Sequence, residues 1–364
     1  MKFKSYSEIE NSYNGKFVRE LREQGFDDPN IEYVCENKID GSNFQCSLDE
    51  NDNFIVGKRS QLLGRDDTFQ NYRKAMQNED VENKLRLIKA NIAQSFPVPE
   101  KFVFTVYGEL CGGMYRHPDV EKVKNAQRIQ GRIDYHPDNM WIPFDMAIRA
   151  PGDENKILYL LDQDDVVRYC KLVGLPYPII LFRGTLDACL NFPVEFIDKT
   201  GNILWNLPVI DENISEGVVI KPNHACWMRN GQRVILKNKN ERFKERTCKG
   251  PKEKKENIPL TELETKYFNL AEEFITESRM MSVVSKIGEL NEKLFGLFLG
   301  SFLKDLWNDF DKEYADEVHE LEENTSVDEF SFPKIKKHIS KEVSDFIRPK
   351  FVELINADTT IEDC

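Results

Sequence analysis

The sequence predicts an α+β protein in which antiparallel sheets with flanking helices are followed by an all-helical C-terminal domain. Short β-rich runs separated by polar turns fill the first two-thirds of the chain. From Leu260 onward these signals end and apolar residues recur at helical spacing. A chain of 364 residues with 40% hydrophobic residues is long enough for two domains, each with its own core.

The predicted strands of the first part form an antiparallel meander. Three short runs, "YVCENKI", "FQCSLDE" and "NFIVGKR", are separated by polar residues. Two later runs, "KFVFTVYGEL" and "MWIPFDMAI", are more apolar and predict buried strands.

Two helices are predicted to flank these strands. The segment "VENKLRLIKANIAQSF" places four apolar residues near one face, namely Leu85, Ile88, Ile92 and Phe96. The segment "DQDDVVRYCKLVG" begins with acidic residues and stops at Gly174, as a helix should.

The last third of the sequence predicts a small helical bundle. Its four amphipathic segments are "LTELETKYFNLAEEFI", "MMSVVSKIGEL", "EKLFGLFLGSFLKDLW" and "KIKKHISKEVSDFIRPKFVELI". An OB-fold would need about five strands after residue 250, and the pattern there indicates none.

A basic segment separates the two predicted domains. Ten Lys or Arg residues and three Glu residues lie between Arg233 and Lys255. We therefore predict a sheet-containing domain at residues 1–245, a basic linker at 246–258 and a helical domain at 259–364. The basic segment is either a solvated linker or a local contact with a duplex backbone.

Composition excludes several classes of protein. The net charge of −13 argues against a generic nucleic-acid coat, whose affinity comes from excess Lys and Arg. The eight cysteines form no C-x-x-C pair and the five histidines no metal-ligand spacing. No stretch is apolar enough to span a bilayer and the first residues lack a signal-like segment. We expect an intracellular protein, cytoplasmic or nuclear and not secreted, that is not a membrane protein.

Lys38 is the first candidate for chemistry, because it interrupts a predicted strand in "CENKIDGSNFQC". A lysine amine attacks phosphorus only when it is unprotonated, which desolvation or nearby cations favour. Alone, the K-x-D-G pattern is a weak signal that also fits a solvated lysine before an Asp-turn.

Four further motifs follow Lys38, and together they carry a resemblance. They are "VYGEL" at 106–110, "IPFDM" at 142–146, "EGVVIKP" at 216–222 and "VILKNKN" at 234–240. Their order and approximate spacing resemble those of the covalent nucleotidyltransferases, the superfamily of polynucleotide ligases and RNA capping enzymes. The implied fold of the first domain is that of a nucleotidyltransferase, an ATP-grasp-like ligase domain.

Details within the motifs resemble the RNA ligase 2 family, the strand-joining enzymes of phages and of RNA editing. Asn43 stands where DNA ligases and capping enzymes have an arginine, and Arg59 in "VGKRS" arrives from the next strand. The start "YSEIENSYNGKFVREL" and the segment "VVSKIGEL" are also similar to that family.

The resemblance implies roles for individual residues. Lys38 would attack the α-phosphorus of ATP and hold AMP as a phosphoramidate. The other implied catalytic residues are Asp40, Asn43, Arg59, Lys237 and Lys239. The implied nucleotide-binding residues are Glu36, Asn37, Ile39, Asn43, Arg59, Glu109, Phe144, Glu216, Lys221, Lys237 and Lys239. Glu216 and Asp145 are the expected metal ligands.

Physical arguments support several of these roles. Carboxylates such as Glu109 and Glu216 suit ribose hydroxyls and hydrated Mg²⁺. An aromatic ring such as Phe144 can stack on adenine, although an isolated Phe is more often core. Lys237 and Lys239 alternate on one strand and so point to one face, as an α-phosphate clamp requires.

Two positions depart from the family pattern. Many members have Glu immediately before the lysine and His two residues after it, whereas this chain has Asn37 and Asp40. Asp40 matches the broader superfamily, and we expect it to accept a hydrogen bond or hold a metal-bound water.

The helical domain contributes two candidates. Arg279 and Asp305 match residues that the family uses in sealing or in engaging the nicked duplex; the alternative is an ordinary surface pair.

The implied activity is that of an RNA ligase (ATP), EC 6.5.1.3. It would use ATP with Mg²⁺, or Mn²⁺ instead, and seal 3′-hydroxyl and 5′-phosphate ends in nicked double-stranded RNA or an RNA/DNA hybrid. We expect it to act as a monomer. The alternatives are an mRNA-capping-type guanylyltransferase and a noncatalytic RNA-binding relative.

Overall fold

The computed structural model describes residues 3–243, 260–326 and 329–359. They divide into two compact units, one ending at Asn240 and one beginning at Glu241. The first unit contains the sheets and the second is helical, which confirms the α+β fold class. The predicted linker 246–258 lies outside the described residues.

The first unit contains two sheets. Its strands are β1 (Glu10–Asn11), β2 (Tyr33–Asn37), β3 (Ser42–Leu48), β4 (Phe54–Lys58), β5 (Gln61–Leu62), β6 (Val103–Gly112), β7 (Asn139–Ala150), β8 (Asp153–Leu160), β9 (Ile180–Gly184), β10 (Gly217–Pro222) and β11 (Leu236–Lys239). One sheet has the order β1-β11-β10-β2-β9 and the other β5-β4-β3-β6-β7-β8. Only the β1–β11 pair is parallel among the strand pairs described.

The chain crosses from one sheet to the other directly after Asn37, since β2 belongs to the first sheet and β3 to the second. The sheets meet through a small apolar cluster that includes Tyr107 of β6 and Val219 of β10. Lys38 therefore lies in the connection between the two sheets.

Helices cover the outer faces of the sheets. They are α1 (Gly15–Glu23), α2 (Tyr72–Asn78), α3 (Val81–Ser95), α4 (Gln163–Val173), α5 (Leu186–Leu190) and α6 (Thr200–Trp205). The predicted helix face is confirmed, because Leu85, Ile88 and Ile92 are fully buried against the second sheet. Phe96 packs on the same core but follows the last residue of α3 in an extended conformation. Gly174 ends α4 in the left-handed conformation.

The second unit is built from four α-helices among the described residues: α7 (Glu262–Glu272), α8 (Glu277–Ile287), α9 (Phe295–Asn324) and α10 (Phe332–Thr359). A capping box begins α7, where Thr261 and Glu264 hydrogen-bond each other's backbone. Phe298, Phe302 and Phe310 of α9 are fully buried in the core of this unit. Within the described parts of the chain, every helix is too short or too polar to cross a membrane.

Candidate active site

Lys38 projects from a turn whose backbone is held on two sides. Its N–H donates to the carbonyl of Gly217, 3.0 Å away. Gly41 packs so closely on β6 that a Cβ atom there would lie 2.2 Å from the carbonyl oxygen of Leu110. The glycine of the K-x-D-G pattern is therefore required by this close approach.

Glu216 binds two lysine amines. Its Oε2 lies 2.7 Å from Nζ of Lys38 and its Oε1 lies 3.2 Å from Nζ of Lys239. Burial alone would raise the pKa of Glu216, but the charges of Lys38 and Lys239 hold it below its usual value. Gly217 follows with φ +134°, and a Cβ there would lie 2.1 Å from the carbonyl oxygen of Asn238. The close approach of β11 thus explains why a glycine follows Glu216.

Lys237 and Lys239 occupy alternate positions of β11 and are both half-buried. Lys237 pairs in register with Val219 of β10, a residue of the cluster between the sheets. Because alternate residues share a face, both lysines belong to the face that meets the second sheet.

Glu109 and its neighbours complete this cluster. Glu109 of β6 lies opposite Asn43 of β3 in the second sheet. Burial raises the pKa of Glu109 to about 8, against the opposing charges of Lys38 and Arg59. The structure therefore brings together Lys38, Asn43, Arg59, Glu109 and Glu216, which the sequence separates by up to 178 residues.

A second buried cluster contains other predicted residues. Lys221 pairs with Oε1 of Glu36 at 3.1 Å and donates to the carbonyl of Phe144 at 3.1 Å. Phe144 is half-buried and its ring packs edge-on against Tyr6, with centroids 5.0 Å apart. Ile39 is buried beside Lys38 in the turn.

Asp145 belongs to this second cluster, and its metal role stays a prediction. It is 1% exposed, binds the guanidinium of Arg233 and accepts a hydrogen bond from Tyr6 at 2.7 Å. Although burial opposes it, Arg233 and Lys221 lower the pKa of Asp145 below its usual value. Both predicted metal ligands, Asp145 and Glu216, are thus buried carboxylates that contact two cations. Arg233 is itself buried, so its inclusion in a solvated or duplex-binding basic segment was wrong.

Asn37 and Asp40, the two departures from the family pattern, both have partners that were not predicted from the sequence. The amide nitrogen of Asn37 donates to Oδ2 of Asp198 at 2.9 Å and to Oγ1 of Thr200 at 2.8 Å. Asp40 forms an ion pair with Arg132. A buried acid predicts a cationic partner, but nothing in the local pattern singles out Arg132, 92 residues away.

The two candidates of the helical unit belong to different ion pairs. Arg279 is 1% exposed, bonds the carbonyl of Phe274 at 3.0 Å and pairs with Asp309 at 2.9 Å. Asp305 pairs with Lys286. They are not one surface pair, and burial of Arg279 favours a structural role for it over direct contact with a duplex.

A resident metal would have to rely on few protein ligands. Among the described residues, no group of three or more His, Cys, Asp or Glu side chains could hold a metal ion. Mg²⁺ commonly takes one or two carboxylates together with phosphate oxygens of a substrate and water. Glu216 lies beside the proposed nucleophile Lys38 and the phosphate-binding candidate Lys239, which suits that role.

Comparisons with known proteins match two families over most of this chain. The family described as RNA ligase matches residues 31–239, and the family described as T4 RNA ligase 2 C-terminal matches residues 259–345. The mitochondrial RNA-editing ligase 1 of Trypanosoma brucei brucei is 28% identical in an alignment of 212 residues, which covers 52% of this chain and 44% of that protein. RNA-editing ligase 2 of the same organism is 25% identical in an alignment of 236 residues, which covers 60% of this chain and 55% of that protein. The chain thus spans about half the length of the curated relatives it matches.

Among solved structures, a Naegleria gruberi RNA ligase mutant with AMP and Mn aligns with 65% of this chain and 57% of that chain. Its TM-score is 0.43 and its sequence identity 15%.

Proposed function

The chain belongs to the RNA ligase family, and on that premise we propose that it is an ATP-dependent RNA ligase, EC 6.5.1.3, that seals nicks in duplex RNA. The observation that carries the proposal is the cluster around Lys38. The amine of Lys38, the amine of Lys239 and two carboxylates converge where the chain passes between the sheets, and Lys237 shares the strand face of Lys239. Such a set suits transfer of a nucleotide through a covalent lysine adduct.

In the first step, Nζ of Lys38 attacks the α-phosphorus of ATP. A nitrogen–phosphorus bond forms, the bond to the β-phosphate oxygen breaks, and pyrophosphate leaves with that electron pair. The amine loses a proton, for which Oε2 of Glu216 at 2.7 Å is the nearest described carboxylate oxygen. Lys237 and Lys239, which share one face of β11, would neutralise charge on the α-phosphate. Mg²⁺ held by Glu216 would add charge neutralisation at the phosphates.

The next two steps join the strands. An oxygen of the RNA 5′-phosphate attacks the lysine-bound AMP, which restores the free amine of Lys38 and leaves an adenylylated 5′-end. The 3′-hydroxyl then attacks that 5′-phosphorus, and AMP leaves as the phosphodiester forms. In both steps negative charge develops on phosphate oxygens, and Lys237 and Lys239 would stabilise it.

Asn37 supports ATP over GTP as the nucleotide. Because its nitrogen donates to Asp198 and Thr200, the orientation of the amide is fixed. Its oxygen, Oδ1, is buried and has no partner among the described residues. An acceptor in this position suits the 6-amino group of adenine and opposes the 6-oxo group of guanine. Phe144 would stack on the base.

The proposal extends to the substrate, the oligomeric state and the location of the enzyme. We propose nicked double-stranded RNA or an RNA/DNA hybrid as the substrate and a monomeric, intracellular enzyme.

A noncatalytic relative would be expected to lack a reacting residue, whereas Lys38, Glu109, Glu216, Lys237 and Lys239 are all present.

The experiment is a sealing assay with a 5′-labelled nicked RNA duplex, Mg²⁺ and either ATP or GTP. We expect a sealed strand with ATP, and much less product from single-stranded ends. Labelling of the protein by GTP in preference to ATP would favour the guanylyltransferase alternative. Binding of the nick without any nucleotide transfer would favour the noncatalytic one.

A further inference from the structure

Asp40, two residues after the nucleophile, is held by a two-pronged ion pair. Nε of Arg132 lies 3.1 Å from Oδ2 of Asp40, and Nη2 of Arg132 lies 2.6 Å from Oδ1. Asp40 is 4% exposed, whereas about a quarter of the Arg132 side chain is exposed. Two parallel contacts fix the plane of a carboxylate as well as its position.

The same loop holds the backbone of the turn. Residues 113–138 connect β6 to β7 and contain Arg132. The N–H of Asp40 donates to the buried hydroxyl of Tyr135 at 2.8 Å. Gln130 donates to the carbonyl of Gly41 at 3.3 Å. This one loop therefore contacts the turn after Lys38 at a side chain, an N–H and a carbonyl.

A second loop holds the residue before Lys38 and is bonded to the first. Asn37 is fixed by Asp198, as described above. Asn213 donates to the carbonyl of Asp198 at 3.2 Å and to that of Asp134 at 2.9 Å. The N–H of Asp134 donates back to Asn213 at 2.8 Å. Asn37 and Asp40, which flank the nucleophile at positions −1 and +2, are thus held by two loops that are bonded to each other.

Arg132 also balances the charge of Asp40, in addition to fixing its position. Three carboxylates, those of Asp40, Glu109 and Glu216, act electrostatically on one another around the amine of Lys38. After Arg132, Lys38 is the next cation that acts on Asp40. Without Arg132, the buried carboxylate of Asp40 would lack its ion-pair partner, and the turn that carries Lys38 would have to shift to solvate that charge.

We propose that Arg132 is a positioning residue for adenylylation: it neutralises Asp40 and fixes the turn from which Lys38 attacks. The inference rests on the proposed function and adds a residue to it. Arg132 acts through Asp40, so its removal is harmful chiefly because the Asp40 charge remains.

The experiment compares single-turnover adenylylation at saturating ATP in full-length protein. The variants are Arg132→Met, Asp40→Asn and the double variant. We expect Arg132→Met to be slower by on the order of 100-fold, as for a misplaced reacting group. The double variant should be at least about 10-fold faster than Arg132→Met, because the uncompensated charge is gone. The half-saturating ATP concentration should change by less than about threefold, since the effect is on positioning.

Arg183→Met is the matched control. Arg183 lies on β9, forms ion pairs with Glu32 and Asp164, and has about a third of its side chain exposed, much as Arg132 does. Neither partner belongs to the network that holds Asn37 and Asp40. It should keep adenylylation within about threefold of wild type. Thermal unfolding of each variant reports whether it is folded. Arg132→Lys keeps the positive charge and replaces Arg132→Met if that variant does not fold.

An Arg132→Met protein as fast as wild type would overturn the inference. So would a double variant no faster than Arg132→Met, because Arg132 would then act independently of Asp40. Absence of adenylylation in the wild-type protein would instead contradict the proposed function, so the two failures are distinguishable.

Discussion

Glu216 and Lys38 form a contact of 2.7 Å between Oε2 and Nζ across 178 residues of sequence. The second oxygen of Glu216 contacts Lys239 at 3.2 Å. One carboxylate therefore orders the proposed nucleophile and one of the proposed phosphate-binding lysines at the same time.

Glu216→Gln should slow adenylylation by on the order of 100-fold. Glutamine offers one acceptor oxygen, and its NH₂ group would face one of the two ammonium groups. The rate of AMP attachment to the protein measures the effect. Glu212→Gln, an exposed position four residues earlier, is the control and should be unchanged. A Glu216→Gln rate within about threefold of wild type would show that the two contacts do not order the lysines.

Glu109 should make stability depend on pH. Burial raises the pKa of Glu109 to about 8 in the folded protein, whereas in the unfolded chain it ionises near its usual value. The unfolded chain therefore loses its proton first as pH rises, and Glu109 lowers stability progressively from pH about 5 to about 8. Glu109→Gln should raise the Tm little at pH 5 and more at pH 8.

Glu79→Gln is the comparison for that experiment, because burial also raises the pKa of Glu79 to about 8. Glu79 accepts from the N–H of Trp141 and lies outside the proposed site. It should reproduce the pH trend while adenylylation is retained. A Tm difference for Glu109→Gln that does not change with pH would contradict the raised pKa of Glu109.

Arg279→Met should destabilise the helical unit by about 3 kcal/mol, because it leaves Asp309 and the carbonyl of Phe274 without the buried guanidinium. Urea unfolding followed by circular dichroism measures this. The control, Lys286→Met, removes a half-exposed amine from Asp305 and should cost less than about 1 kcal/mol. Equal stability of Arg279→Met and wild type would return Arg279 to the candidates for direct RNA contact.

A fragment of residues 1–243 should form the lysine–AMP bond but seal nicks poorly. Each residue proposed to contact the nucleotide lies in the first unit. Sealing also requires the 3′-hydroxyl to be held in line with the activated phosphate, where a misplacement of about 1 Å costs on the order of 100-fold. The two rates are compared at equal adenylylation of fragment and full chain. Sealing at the full-chain rate would assign the helical unit to stability or partner binding.

The parts of the site that could be predicted from sequence are those with local signals. Lys38 and Gly41 stand in a four-residue pattern, and Lys237 and Lys239 share a strand, so their types and spacing were informative. The strand that carries Lys237 and Lys239 is confirmed, as are the fold class and the helical C-terminal part, whereas Lys38 and Gly41 lie between two strands.

The rest depended on long-range contacts that local patterns do not encode. The contacts of Asn37 and Asp40 were not predicted, because Asp198 and Arg132 lie 161 and 92 residues away from them. Arg233 was counted with a basic segment on composition alone, whereas its buried pairing with Asp145 is set by the packing of two sheets. For Asp145 the sequence predicted a metal role and not this ion pair, and the metal role stays a prediction.

Identification of the adenylylated residue tests the central claim most directly. Full-length protein is incubated with Mg²⁺ and ATP labelled at the α-phosphate, digested under conditions that preserve a phosphoramidate, and analysed by mass spectrometry. We predict AMP on the peptide that contains Lys38, loss of the label in Lys38→Ala, and full labelling of Lys101→Ala, an exposed control. AMP on another residue, or label that persists in Lys38→Ala, would contradict the assignment of Lys38 as the nucleophile.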